Sequence, residues 1–181
     1  MKAETLTIAI YAAAIWAGAM DKRSYRTRMY AAYRRSALRV ISAFRTASTD
    51  AAVAFAGMML LRLVVDIEKR KHDIRRGTDL SNPVQIEDDA MNKWQQDSAN
   101  SNKGRWTYRL IPNIGEWTKR RHGQVNFYLI QLLAGHGCDR AYLYKYGHDV
   151  CEASPECRNE REMAEHVFFT CPRCVDQRNC L

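Results

Sequence analysis

Between positions 28 and 45 apolar side chains recur at helical spacing. Tyr30, Tyr33, Ala37, Ile41 and Phe44 fall on one side. At about 100° per residue, Arg28, Arg35 and Arg39 fall on the other, with Arg34 beside them. The spacing predicts an amphipathic helix over 28–45. Residues 46–50 read as a turn into a second helix, with Ser48 or Thr49 as its cap, Asp50 in its first turn and Gly57 at its end. A third helix is predicted from about Met59 to Arg76, with Leu60, Leu63, Val64 and Ile67 inward and Gly77 as its stop. The cations near its end, from Lys69 to Arg76, complement the helix dipole without needing a ligand.

Ser81-Asn82-Pro83 is a helix start, a capping side chain followed by proline at the first helical position. It predicts a helix from Pro83 to about Asp97 and is the best candidate domain boundary. Glu87-Asp88-Asp89 then lie in the first two turns, where acids suit the dipole. They are not the metal-holding aspartates of a polymerase, which sit on a tight strand turn. Ser98 to Gly104 reads as a polar link. From Gly104 to Pro112 aromatic and basic residues alternate, which suits either a stacking surface for bases or buried Trp and Tyr packing. Shorter helices are predicted over Val125 to Leu133, ended by Gly135, over Ala141 to Tyr146, ended by Gly147, and over Arg161 to Phe169. With only 4 Pro and 9 Gly in 181 residues, the expected fold class is mainly α.

Charge narrows the partners. The 28 Lys and Arg against 20 Asp and Glu leave a net +8, which suits a polyanion, either nucleic acid or an anionic membrane. The stretch from Lys22 to Arg45 holds eight basic residues, with Asp21 just before it. A solvated charged face usually mixes both signs; a face of one sign is better suited to phosphates.

Six cysteines, at 138, 151, 157, 171, 174 and 180, crowd the C-terminal part. A secreted chain would use them as disulfides, an intracellular one more often for metal. The N-terminus bears on that choice, because Lys2, the apolar run Leu6 to Trp16 and Ala17-Gly18-Ala19 imitate a secretory leader. This run is too short to span a membrane. The most specific pattern is Cys151, Cys157, His166 and Cys171, with five, eight and four residues between them. Two thiolates from a loop, a histidine from a helix and a cysteine just beyond its end can surround zinc tetrahedrally. So small a unit would draw most of its folding free energy from the metal, on the order of 10 kcal/mol. With all four ligands bound the site is structural, leaving no position for water. A tight knuckle usually begins Cys-x-x-Cys, and that place holds Ser154. Cys151 would reach in from a longer loop, or His148 would replace it. Cys138 and Cys174 are expected not to ligate.

Three stretches resemble the C-terminal part of the reverse-transcriptase protein of arthropod non-LTR retrotransposons, the type-one elements that insert into ribosomal DNA. They are Tyr11 to Ala19 with Ala31 to Leu63, then Lys103 to Trp117 with Arg120 to Cys138, then Ala164 to Arg173 (AEHVFFTCPR). The resemblance implies a helical thumb-like region over 1–76, a linker with one helix over 77–103, and a helical C-terminal segment over 104–181 carrying the zinc knuckle at about 148–174. The family's motif falls on Cys157, His166 and Cys171, with its first cysteine at Ser154.

Template RNA, target DNA and the polymerase palm become the expected partners, zinc the expected cofactor, and the nucleus, after cytoplasmic synthesis, the expected location, without membrane or secretion. Arg28, Arg34, Arg35, Arg39, Arg105, Arg109, Arg120 and Arg121 are the candidate nucleic-acid contacts. Neither the aromatic-x-Asp-Asp turn of the polymerase nor an endonuclease set occurs in the sequence. A truncated, non-catalytic piece is therefore expected. The alternative is a secreted, disulfide-stabilised protein with a cleaved leader.

Overall fold

The structure, a computed structural model, describes residues 10–120, 126–137 and 139–180. The first nine residues of the leader-like stretch, Arg121 and Cys138 lie outside the described residues. Among the described residues the chain is helical between loops, with one antiparallel bridge joining Ala153 to Arg161.

The chain enters through α1 (Ala13–Trp16) and a tight helical turn over Ala17–Asp21, then forms α2 (Arg23–Ile41). Ala13 is buried, and Trp16, Ala17 and Met20 pack against the main core, so this part of the leader-like stretch belongs to the folded body. α2 begins earlier and ends earlier than its spacing predicts. Its stop is Ser42, held left-handed at φ 54°. There Ala43 N–H donates to Leu38 O at 3.1 Å, closing the last turn. Arg34 then reaches across the exit loop and donates to Arg45 O at 2.5 Å and Ala47 O at 2.7 Å. Phe44 therefore leaves the helix and points elsewhere than the α2 apolar side.

α3 (Thr49–Phe55) is capped as expected, with Ser48 Oγ accepting from Ala51 N–H. Ala51, Ala52, Val53, Ala54 and Phe55 are all buried. A helix apolar on every side must be surrounded, and its alanines let α2 and the later α8 (Phe127–Ala134) approach closely. α4 (Leu61–Arg75) packs on α1 and on α5 (Pro83–Asn100).

α5 starts where Asn82 accepts from Val84 N–H and Pro83 opens the first turn. It runs three residues past Asp97, so the expected polar link begins as helix. Ile86, Ala90 and Trp94 bury on one side, in the same cluster as Tyr33, Phe55, Ile111 and Ile130. Residues 77–103 thus hold one helix that shares the common core. The acids on the opposite side are exposed, and Glu87 pairs with Lys71.

Two short helices, α6 (Arg105–Leu110) and α7 (Ile114–Lys119), lead to α8. Trp106 Nε1 donates to Leu132 O at 2.8 Å and Thr107 Oγ1 to Leu133 O at 3.2 Å, filling two of the open carbonyls at the α8 C-terminus. Trp117 Nε1 donates to Ala54 O at 3.1 Å. Trp106 of the aromatic–basic stretch, and Trp117 beyond it, thus serve packing. α8 ends at Gly135, φ 64°, where a Cβ would stand 2.9 Å from Trp106. α9 (Arg140–Lys145) follows, capped by Asp139 accepting from Tyr142 N–H.

Candidate metal centre

Beyond α9 the chain builds a small unit from loops. Arg140 grips Asp149 through two bonds, at 2.9 and 3.0 Å, and donates to Ala153 O at 3.2 Å. This guanidinium holds the Asp149 carboxyl down to about pKa 2. Glu162 N–H donates to Glu152 O and Ser154 N–H to Glu160 O, both at 2.8 Å, so residues 152–162 close as a hairpin. The expected helix over 161–169 is shorter. Its first residues belong to this hairpin, and helical geometry begins only at 164. It ends in a wide turn over His166–Thr170, where Cys171 N–H donates to His166 O at 2.7 Å. Such five-residue turns re-aim side chains and recur at functional sites. Pro172–Cys174 and α10 (Val175–Asn179) close the unit, with Arg178 donating to Cys171 O at 2.7 Å.

This geometry brings together Cys157, His166 and Cys171, whose ligand atoms lie within 4.8 Å of one another. Cys171 is fully buried and His166 is 6% exposed. The histidine is held from one side. Its Nδ1 lies 2.6 Å from Glu160 Oε2 and 3.2 Å from Thr170 Oγ1. Its Nε2 is buried and has no hydrogen-bond partner. A ring fixed through Nδ1–H by a carboxylate, with the other nitrogen left open, is how proteins orient a metal-ligating histidine. Burial, with the Cys171 sulfur next, pushes the Cys157 thiol up. A cation between the sulfurs would reverse that, because coordinated thiols are deprotonated.

Two thiolates and an imidazole suit zinc. Zn–S near 2.3 Å and Zn–N near 2.0 Å put ligand atoms roughly 3.5 Å apart in a tetrahedron, about an ångström closer than the outer limit here. Zinc held by these residues would supply a structural cross-link between the hairpin and the helical turn.

The fourth corner differs from the four-ligand set read from the sequence. Cys151 is exposed, and its Sγ accepts from Ala153 N–H at 3.3 Å. It lies outside the converging group. His148 is exposed as well. Ser154, only 2% exposed, puts its Oγ 3.9 Å from Cys171 Sγ and accepts from Cys157 N–H at 3.4 Å. The serine thus stands where a Cys-x-x-Cys knuckle would place its first sulfur. Cys174 and Cys180 are free thiols outside the group, and the other described cysteines are also free.

The candidate nucleic-acid arginines divide into two sets. Arg28, Arg35 and Arg39 are exposed along α2. Arg34 is committed to the α2 exit loop. Arg105 donates to Ala99 O at 2.9 Å and Ser101 O at 3.3 Å, and stacks over Tyr108 at 4.6 Å. Arg109 pairs with Glu165 and lies 5.5 Å from the Phe169 ring, tying α6 to the Cys-His-Cys unit. Arg120 lies over the Trp117 ring at 3.4 Å, and burial lowers its pKa.

With this geometry in place, comparison with known proteins gives one informative match. The Retrovirus-related Pol polyprotein from type-1 retrotransposable element R1 2 of Nasonia vitripennis is 25% identical over 186 residues, covering 93% of this chain. The chain spans 45% of that protein's length. No family model and no solved structure matches. No helix of the described residues is long and apolar enough to cross a membrane. The chain is mainly helical, bears similarity to a retrotransposon polyprotein, and gathers a Cys-His-Cys group able to hold a metal ion.

Proposed function

We propose that this chain is a zinc-stapled nucleic-acid-binding piece of a retroelement reverse transcriptase, acting without a catalytic centre of its own. One observation carries the reading: His166, whose buried Nε2 has no hydrogen-bond partner, shares a site with Cys157 and Cys171, in a chain similar to a Pol polyprotein. The roles follow from chemistry. Zinc would hold the hairpin against the helical turn and keep the C-terminal surface in one shape. Arg28, Arg35 and Arg39, exposed on α2, would contact backbone phosphates of template RNA or target DNA. Arg34, Arg105, Arg109 and Arg120 have intramolecular partners and would act mainly by shaping the surface. Arg121 belongs to the same basic set by sequence. The palm of the parent polymerase is the natural partner for the thumb-like part, and such work belongs in the nucleus. The secreted, disulfide-bearing alternative is not favoured, since Ala13 and its neighbours pack into the core and the described cysteines are free thiols.

Zinc-loaded protein titrated against RNA and duplex DNA at rising salt tests the reading. Log affinity should fall linearly with log salt. Replacing Arg28, Arg35 and Arg39 together by alanine should lower the slope by about 0.9 per lost duplex phosphate contact. Absence of salt-dependent binding to either polymer would overturn it.

A further inference from the structure

Between α8 and the metal unit lies a cleft of about 460 Å³. Its walls are apolar, with Leu132 from α8, Leu143 from α9 and Val167 from the helical turn. Phe44, Phe127 and Tyr128 also line it and remain exposed, Tyr128 at 81%. Phe44 and Phe127 meet edge to face at 5.9 Å, and Phe127 and Tyr128 at 5.5 Å. Exposed aromatic faces beside an apolar slot are the usual platform for an unstacked base.

The polar groups of the cleft are more specific. Gln131 is buried, and its Nε2 donates to Ser42 O at 3.1 Å, which fixes the amide and leaves Oε1 as an acceptor without a partner. The Glu162 side chain is 5% exposed. One of its oxygens, Oε1, takes Arg173 at 3.3 Å; the other, Oε2, is buried and unpartnered. Asp139 lines the cleft too, but its carboxylate already caps α9. Gln131 and Glu162 thus both line the apolar slot, each holding a buried acceptor without a partner, and Arg173 lines it as well. Buried acceptors left without donors are costly, so the fitting ligand is flat and rich in donors along one edge.

We propose that this cleft takes a single unpaired guanine from a bound strand. Guanine presents N1–H and a 2-amino group side by side, a donor edge that a carboxylate and an amide oxygen can share. Its O6 supplies an acceptor for Arg173. Adenine and cytosine offer a single donor nitrogen on that edge and uracil one N–H, so none of them places two donor nitrogens side by side. The ring would stack against the aromatic side chains at the mouth. This assignment rests on the nucleic-acid reading above and adds a base preference to it.

The test uses the full zinc-loaded chain and fluorescent eight-residue oligouridylates carrying one central guanine, inosine or adenine. Inosine keeps N1–H and O6 and lacks only the 2-amino group. The guanine strand should bind about tenfold tighter than the inosine or adenine strand, the scale of one good bidentate base contact. In Glu162→Gln that preference should vanish while salt dependence persists. In Tyr128→Ala, an exposed position that leaves folding intact, all strands should weaken by about five- to tenfold from lost stacking. Equal binding of the three strands to the wild-type chain overturns the guanine cleft and leaves the phosphate reading standing. No binding of any strand overturns both. Displacement of the guanine strand by an equal concentration of guanosine monophosphate would mark a free nucleotide as the ligand and overturn the strand assignment.

Discussion

His166 Nδ1 sits 2.6 Å from Glu160 Oε2, and the opposite ring nitrogen, Nε2, is left without a partner. The carboxylate comes from the hairpin that also carries Cys157, so one loop supplies both a candidate ligand and the group that aims another. Glu160→Gln keeps the shape and removes the charge. Zinc affinity, measured by competition with a chromophoric chelator, should drop about 10- to 100-fold, as for other outer-shell partners of metal-bound histidine. Unchanged affinity would show that this contact does not orient the ring.

A second prediction concerns the fourth corner. Ser154→Cys places a sulfur 17 residues ahead of Cys171, at the buried position whose Oγ is already 3.9 Å from Cys171 Sγ. Zinc should then bind roughly tenfold tighter or more, equivalent to at least ~1.4 kcal/mol. Cys151→Ser should leave affinity within about twofold, because Cys151 is exposed and outside the group. Cobalt substitution reports the same contrast through its thiolate absorption. Loss of metal binding in Cys151→Ser would return that residue to the ligand set.

Much of this arrangement is legible in the sequence, and the boundary of legibility has a physical cause. Ser48 and Asn82 cap α3 and α5 as their side chains demand, because capping acts over two or three residues. Cys157, His166 and Cys171 converge because ligand spacing is also local. The α2 end was not readable, since serine rarely adopts φ 54° and Ser42 is held there by its surroundings. Arg34, Arg105 and Arg109 look like free charges in the sequence. Their partners, main-chain carbonyls or Glu165, are fixed only once the loops are folded. Cys151 and Ser154 differ by a hairpin register that no periodicity encodes.

A third prediction probes the shared core. Trp94 is almost wholly buried in the cluster that also holds Tyr33 and Ile130. Trp94→Ala should destabilise the protein by about 3–5 kcal/mol, a large share of a typical domain's total. Chemical denaturation followed by far-ultraviolet circular dichroism measures it. A loss under about 1 kcal/mol would mean that α5 packs only loosely on the rest.

A fourth prediction concerns acid. Asp79 accepts from Ser81 N–H at 2.9 Å and Ser81 Oγ at 2.6 Å, with Arg70 at 3.7 Å, and the Ser81 bonds are the first cause that holds its carboxyl below 3.8. A carboxyl whose folded pKa is depressed lends stability above its unfolded value and loses it as pH falls through the folded one. The gap in thermal midpoint between wild type and Asp79→Asn should therefore be present at neutral pH and close below about pH 4. A gap of constant size across that range would remove Asp79 as its source.

The continuous buried cluster runs from Tyr33 to Ile130 and includes none of the residues beyond it. Past that point Ala141, Ala164 and Cys171 are the buried apolar positions among the described residues. If the proposed zinc is held there, the two ends of the chain depend on different things: the first on expelling water from hydrocarbon, the last on an ion that can be withdrawn. On that reading, withdrawing zinc would loosen the carboxyl-terminal unit while leaving the helical body standing, so metal supply would govern the shape of one end of the chain alone.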